Sequence, residues 1–441
     1  MSEAGPAAVM TAPTATVDGQ AAHDLVGRAE RWRDARETGQ ARRPWLTRNV
    51  KAICLADFFA DSNYEMVLAV LPLYLVIGLG APAVAIGLVE GVADGSSAVF
   101  RFVSGYFSDR IRWRRRLGAA GYALTGGGLG LLALVTTWPQ VIGARTIAWI
   151  GRGTRQPIRS AVMSQGIPKE HLGKAFGLHE AADTLGAFVG PAIAFYLLAT
   201  GHSFTTVFLV ALIPGFISFA LFATLTRDRH AEVVKPKPRW EPMPAGYWRL
   251  MTAVAAFGLG NFAPAFFTLR AFEMLRPELS HVAATSGAVA FFLGVNALGT
   301  LVSFPGGWLV DRIGSRVMLG AGYLAFAMAC VIAAAGHGPA ALVLVAVALA
   351  VSQPLVSATE NAAVGAMVDE GRRGTAFGFL AGINGLGDLV SSVVVGVLWT
   401  YVGAAAGLAY GAVLGLLSVV LLSVLVGPKP ASAAANQGRL H

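Results

Sequence analysis

The chain has 441 residues, 55% apolar and only 13% charged, with a net charge of +9 and a mean hydropathy of +0.60. Soluble domains carry roughly 25% charged residues, so the composition argues against an ordinary soluble enzyme. Lys and Arg gather in alternate loops rather than on one face, which argues against nucleic-acid binding. Cys54 and Cys330 both fall in apolar helical patterns, which speaks against a disulfide framework or thiolate metal site.

In chain order, residues 1–47 form a polar cytoplasmic segment, rich in arginine and without a signal-peptide core. Residues 21–37 read either as a basic amphipathic helix on the membrane surface or as disorder. A helix needs about 20 apolar residues to cross the ~30 Å hydrocarbon layer. Such segments are predicted at about 50–77, 84–107, 117–136, 140–165, 174–199 and 203–225, then 247–275, 282–309, 317–336, 339–367, 375–401 and 404–426. The domains expected are a six-helix bundle over 48–226, a basic, proline-rich linker over 227–246, a second bundle over 247–426 and a tail over 427–441. The loops at 78–83, 137–139 and 200–202 hold no Lys or Arg, whereas the alternate loops hold many. The positive-inside rule therefore puts both termini and the linker in the cytoplasm. The fold class is an all-α membrane protein of twelve transmembrane helices in two six-helix pseudo-repeats.

The repeat is visible in the residues. Gly105-Tyr-Phe-Ser-Asp109-Arg110 returns 202 positions later as Gly307-Trp-Leu-Val-Asp311-Arg312, and Lys174-Ala-Phe-Gly177 returns as Thr375-Ala-Phe-Gly378. Each glycine permits close helix approach, each aspartate can accept from a neighbouring helix N-terminus, and each arginine can pair with a carboxylate. Parallel repeats about the membrane normal are a transporter architecture.

Over residues 48–426 this pattern resembles the major facilitator superfamily, whose best-known signature is Gly-x-x-x-Asp-Arg between spans two and three with an echo between spans eight and nine. The resemblance implies that Gly105, Asp109, Arg110, Gly307, Asp311 and Arg312 latch one conformation and release it in the other. The first copy carries Arg112 where the family has glycine; the second keeps Gly314. In span five, Gly177, Gly186, Gly190 and Pro191 follow the Gly-x8-Gly-x3-Gly-Pro spacing of the family's exporting antiporters, with Ala194 and Phe195 replacing the closing glycine pair. In span four Arg145 occupies the expected region, with Trp149 where a glycine commonly stands.

Ionisable groups at membrane depth are expensive and mark function. Span one spaces Asp57, Asp61 and Glu65 four apart, on one face, with Glu65 read near a membrane surface. Span two has Glu90, Asp94 and Arg101; span four has Arg145, Arg152, Arg155 and Arg159; span five has His179, Glu180 and Asp183. A carboxylate that meets an arginine in one state and loses it in another binds and releases a proton. Asp57, Asp61, Glu90 and Asp94, beside Arg101, Arg145 or Arg152, are the proton-coupling candidates. Tyr64, Glu180, Asp183, Asn261, Asn296, Glu360, Asn384 and Asp388 are the candidate substrate-pocket residues.

The leading expectation is proton-coupled export of a small organic molecule from a monomer in a bacterial inner membrane, using protons and the bilayer and no cofactor, metal or nucleic acid. The runner-up is uptake of an organic anion or metabolite by proton symport. Gly126-Gly-Gly128 lacks a following Gly-Lys-Ser, so direct drive by ATP is not expected. A membrane enzyme or receptor on the same scaffold lacks a matching cluster or appended domain in the sequence, and a passive channel does not account for duplicated latch turns.

Overall fold

The computed structural model describes residues 45–108, 113–165, 167, 171–227, 243–368 and 373–426. The expectations for the N-terminal segment, most of the linker, the tail, Asp109 and Arg110 lie outside the described residues. Within them the chain is helical, with no strand: α1 Arg48–Leu73, α2 Val84–Ser108, α3 Arg114–Gly130, α4 Trp138–Ser164, α5 Leu172–Ala199, α6 Phe204–Leu225, α7 Ala245–Gly258, α8 Ala265–Leu275, α9 His281–Ile313, α10 Ser315–Ala335, α11 Gly338–Met367, α12 Arg373–Tyr401 and α13 Ala404–Leu425.

Local chemistry sets several of these boundaries. Thr47 caps α1 by accepting from the Val50 amide at 3.3 Å, and Thr137 with Gln140 forms a reciprocal capping box at the start of α4. The turn between α9 and α10 passes through Gly314 at φ +96°, a conformation that costs an L residue energy; this is the glycine that the second Asp-Arg turn retains. Among the described residues, nine helices are long and apolar enough to cross a membrane. α2 and α4 have the length, at 25 and 27 residues, but carry the charges described below.

In the first half α1 is central and packs most extensively on α5, with α6 also against it; α2 lies on α4, and α3 on α4 and α6. In the second half α10 packs on α11 and α13, and α9 on α11. The halves meet through α2 with α12, α5 with α9, and α1 with α8. The α2–α12 seam is tight where the loops lack basic residues. There Gly87 lies against the Ser392 carbonyl, Gly396 against the Val84 backbone, and the Val84 amide donates to Thr400 Oγ1 at 2.9 Å. Toward the basic loops the same helices are bare. Residues 98–103 of α2 are all exposed, a run that covers every helical face, and Phe379 and Leu386 of α12 are exposed too. The halves thus touch at the neutral end and part at the basic end.

Small residues make the close crossings possible. A Cβ on Gly151 of α4 would sit 2.6 Å from both the Gly121 carbonyl oxygen and the Thr125 amide nitrogen of α3. Gly127 has nothing within 4 Å of such a Cβ. Gly151→Val is therefore expected to lower stability by about 1–3 kcal/mol through overpacking. Gly127→Ala is expected to leave the thermal midpoint of the purified protein unchanged, and equal midpoints for the two variants would contradict this account of the crossing.

Candidate functional site

The apolar stretch expected as one span over 247–275 is two helices, α7 and α8, separated by residues 259–264. Pro264 cannot donate a backbone hydrogen bond, and side chains from other helices take over the groups that the break releases. Tyr410 donates to the Leu259 carbonyl at 2.8 Å, Ser391 donates to the Asn261 carbonyl at 2.8 Å, and the Ala263 amide donates to Ser392 Oγ at 2.9 Å. The Asn261 side chain donates to Asp388 Oδ1 at 3.2 Å and accepts from Gln353 Nε2 at 3.1 Å.

This break lines the centre of the molecule, where three adjoining chambers share walls. The first, about 380 Å³, is mainly aromatic and apolar: Tyr64, Phe262, Phe267, Phe291 and Phe292 surround Glu65, Asn296 and Gln353. The second, about 220 Å³, is lined by Glu90, Asp94, Arg145, Trp149, Arg152, Asn261 and Asp388. The third, about 250 Å³, is lined by Asn261, Gln353, Glu360, Asn361, Asn384 and Asp388. Six of the eight expected pocket residues therefore line this cavity. Asp183 and Glu180 do not: Asp183 belongs to a separate charge hub, and Glu180 is exposed on α5.

The hub lies in the first half. Asp57, fully buried, accepts from Arg155 at 3.2 Å and the Tyr122 hydroxyl at 2.5 Å, pairs with Arg159 at 3.1 Å and lies 2.7 Å from His179 Nε2. Asp61 takes the other end of Arg155 at 3.5 Å, and Asp183 lies 3.7 Å from Arg159 and 3.5 Å from His179. Asp57, His179 and Asp183 bring potential ligand atoms within 4.8 Å of one another. Two guanidiniums already sit on these carboxylates, so the group is an ion-pair network rather than a cation cage. The arginines expected beside Asp57 were Arg101, Arg145 and Arg152. Arg155 and Arg159 take that place, because they stand one and two helical turns closer to the basic end of α4 than Arg152. Arg101 is exposed and forms no ion pair with the described residues.

Around the cavity the pairing is different. Arg145, fully buried, meets Glu90 at 2.7 Å, and its guanidinium lies 3.4 Å over the Trp149 ring. Trp149 Nε1 donates to Asp94 Oδ1 at 2.7 Å. Arg152 stacks over Tyr64 at 4.4 Å and donates to its hydroxyl at 3.3 Å. Trp149, which stands where the family commonly has glycine, is thus the shelf that holds Arg145 and orients Asp94. Glu360 accepts from Asn384 at 2.8 Å and Tyr323 at 3.1 Å. Glu65 was expected near a membrane face; instead it is 8% exposed, because α1 runs through the middle of its half. Gln353 was not singled out, and Trp149 was noted only as a departure from the family's glycine, since neither carries a charge; their membrane depth was the available signal.

In the span-five motif, a Cβ on Gly186 would strike the Phe58 carbonyl oxygen, and one on Gly190 the Ser62 carbonyl oxygen, both on α1. These two glycines let α5 lie on α1 beside Asp61. Gly177 is exposed and makes no such approach, and Pro191 is buried within α5. Gly105 and Gly307 lie in α2 and α9, and Arg312 is exposed in the last turn of α9. The side chain of Asp311 lies outside the described residues.

A helical membrane bundle with two halves closed over one end of a charged central cavity defines a multi-pass transporter. The Major Facilitator Superfamily sequence model matches residues 53–303 and 250–440, and the chain belongs to that superfamily. It is 28% identical over 380 residues to an uncharacterized MFS-type transporter of Methanocaldococcus jannaschii, spanning 86% of this chain and 94% of the relative. It is 24% identical over 366 residues to the gentisate transporter of Corynebacterium glutamicum, spanning 77% and 79%. The crystal structure of the nucleoside transporter NupG shares the fold, with a TM-score of 0.69 over 86% of this chain and 98% of that one, at 15% identity.

Removing one partner of a buried ion pair strands the other. Glu90→Gln is expected to cost about 3–5 kcal/mol. Removing both charges with Glu90→Gln and Arg145→Gln is expected to recover part of that loss. Additive losses in the double variant, read from thermal unfolding in detergent, would show that the pair does not act as a unit.

Proposed function

We propose that the protein is a secondary active transporter that exports a small organic molecule in exchange for protons by alternating access. The observation that carries this reading is a central cavity lined by carboxylates from both halves, beneath a seam closed at one end only. The two bundles, 48–226 and 247–426, rock about this cavity in a bacterial inner membrane, with both termini and the basic loops in the cytoplasm. In that orientation the chain is in its inward-open state. The Asp109 and Asp311 turns latch the opposite, outward-open state, in which the basic ends close. Asp57, Asp61, Glu90 and Asp94 are the proton-coupling carboxylates, with Arg145, Arg152, Arg155 and Arg159 as their counter-charges. The span-five glycines support export over uptake.

The relative named for gentisate favours a second reading, uptake of an organic anion together with protons. The direction of proton movement separates the two. In inverted, energised vesicles containing the protein, addition of a transported compound is expected to raise internal pH as protons leave in exchange. Asp57→Asn and Asp61→Asn are each expected to abolish that pH response from folded protein. Entry of compound and protons together into right-side-out vesicles would replace export with symport.

A further inference from the structure

The arginine stripe of α4 looks in sequence like an anion site, and the structure removes most of it. Arg155 and Arg159 are committed to Asp57, Asp61 and Asp183 outside the cavity, and Arg145 is committed to Glu90. Arg152 is the remaining cavity guanidinium; it is stacked on Tyr64, and the charges of Asp61, Asp94 and Glu65 bear on it. Against it stand four cavity carboxylates that have no ion-pair partner within 4 Å among the described residues: Glu65, Asp94, Glu360 and Asp388. Asp94 and Asp388 receive only neutral N–H donors, from Trp149 and Asn261. They come from opposite halves and both line the second chamber. Glu65 faces the aromatic chamber, more than nine-tenths buried, and its Oε2 has no hydrogen-bond partner. A buried carboxylate oxygen without a donor is costly, and an acidic, aromatic-walled space is relieved by a positive charge.

We infer that the cavity takes an organic cation with an aromatic or apolar body. The body occupies the chamber of Phe262, Phe267, Phe291 and Phe292, and the charge sits between Glu65, Asp94 and Asp388. The inference deepens the transporter reading and rests on it. It also supplies a reason for exchange with protons. The cation and a proton then compete for Asp94, which belongs to both the cation site and the proposed proton-coupling set.

The test is isothermal titration of the purified full-length protein with benzyltrimethylammonium, phenylacetate, phenylalanine and benzyl alcohol. The cation is expected to bind at least about tenfold tighter than each of the others. Glu65→Gln and Asp388→Asn are each expected to weaken cation binding by at least about fivefold, with the melting temperature tracking the fold. Tighter binding of phenylacetate that disappears in Arg152→Gln would overturn the inference. So would a preference for the zwitterion, equal binding of the neutral alcohol, or no binding of the cation at all. Cation binding without proton exchange in vesicles would instead sink the export reading and leave the ligand class standing.

Discussion

Everything in this bundle depends on the cost of keeping charge away from water. A guanidinium or carboxylate at membrane depth must find a partner, face a wet cavity or be neutralised. The chain meets that constraint by spacing arginines along α4 and carboxylates along α1, so that two separate sets form. Nearer the basic end, Asp57 gathers Arg155, Arg159, His179 and Tyr122 into a dense network. Deeper in, Arg145 and Glu90 close on one another beneath the cavity. The first set ties α1, α3, α4 and α5 together, while the second leaves carboxylates of both halves looking into shared space.

Uncharged residues then decide what the cavity presents. Trp149 gives its ring to Arg145 and its N–H to Asp94, so one side chain fixes both a cation and an anion. The break between α7 and α8 places Asn261 in the cavity wall, and its backbone groups survive burial because Ser391, Ser392 and Tyr410 answer them. A continuous helix would have kept those groups to itself. The break therefore exchanges intrahelical hydrogen bonds for a polar wall held from α11, α12 and α13.

The seam between halves follows a different rule. Gly87 and Gly91 on α2 and Gly396 on α12 let backbones approach where no side chain would fit. Such contacts come mostly from van der Waals packing and lack the strong directional bonds of an ion pair. An interface of that kind can open without leaving buried charge unmatched. It suits the surface that opens in the proposed cycle, whereas each ion pair among the described residues joins residues of one half.

The sequence by itself determined the class of molecule, most of its helical segments and the repeat of its motifs, because length, hydropathy and spacing are properties of the chain alone. It placed Asn261, Asn296, Glu360, Asn384 and Asp388 at the cavity because an amide or carboxylate in an apolar segment has nowhere cheaper to go. Only the tertiary structure decided which arginine meets which carboxylate. Four-residue spacing puts Asp57, Asp61 and Glu65 on one face but does not say which turn of α4 lies opposite. That register comes from glycine-mediated packing of α5 on α1, through Gly186 and Gly190, and of α4 on α3 and α2, through Gly151 and Gly153. The same holds for the split of α7 from α8, whose stability lies in hydroxyls more than a hundred residues away, and for Glu65, whose burial reflects the central position of α1 rather than anything in its neighbours along the chain.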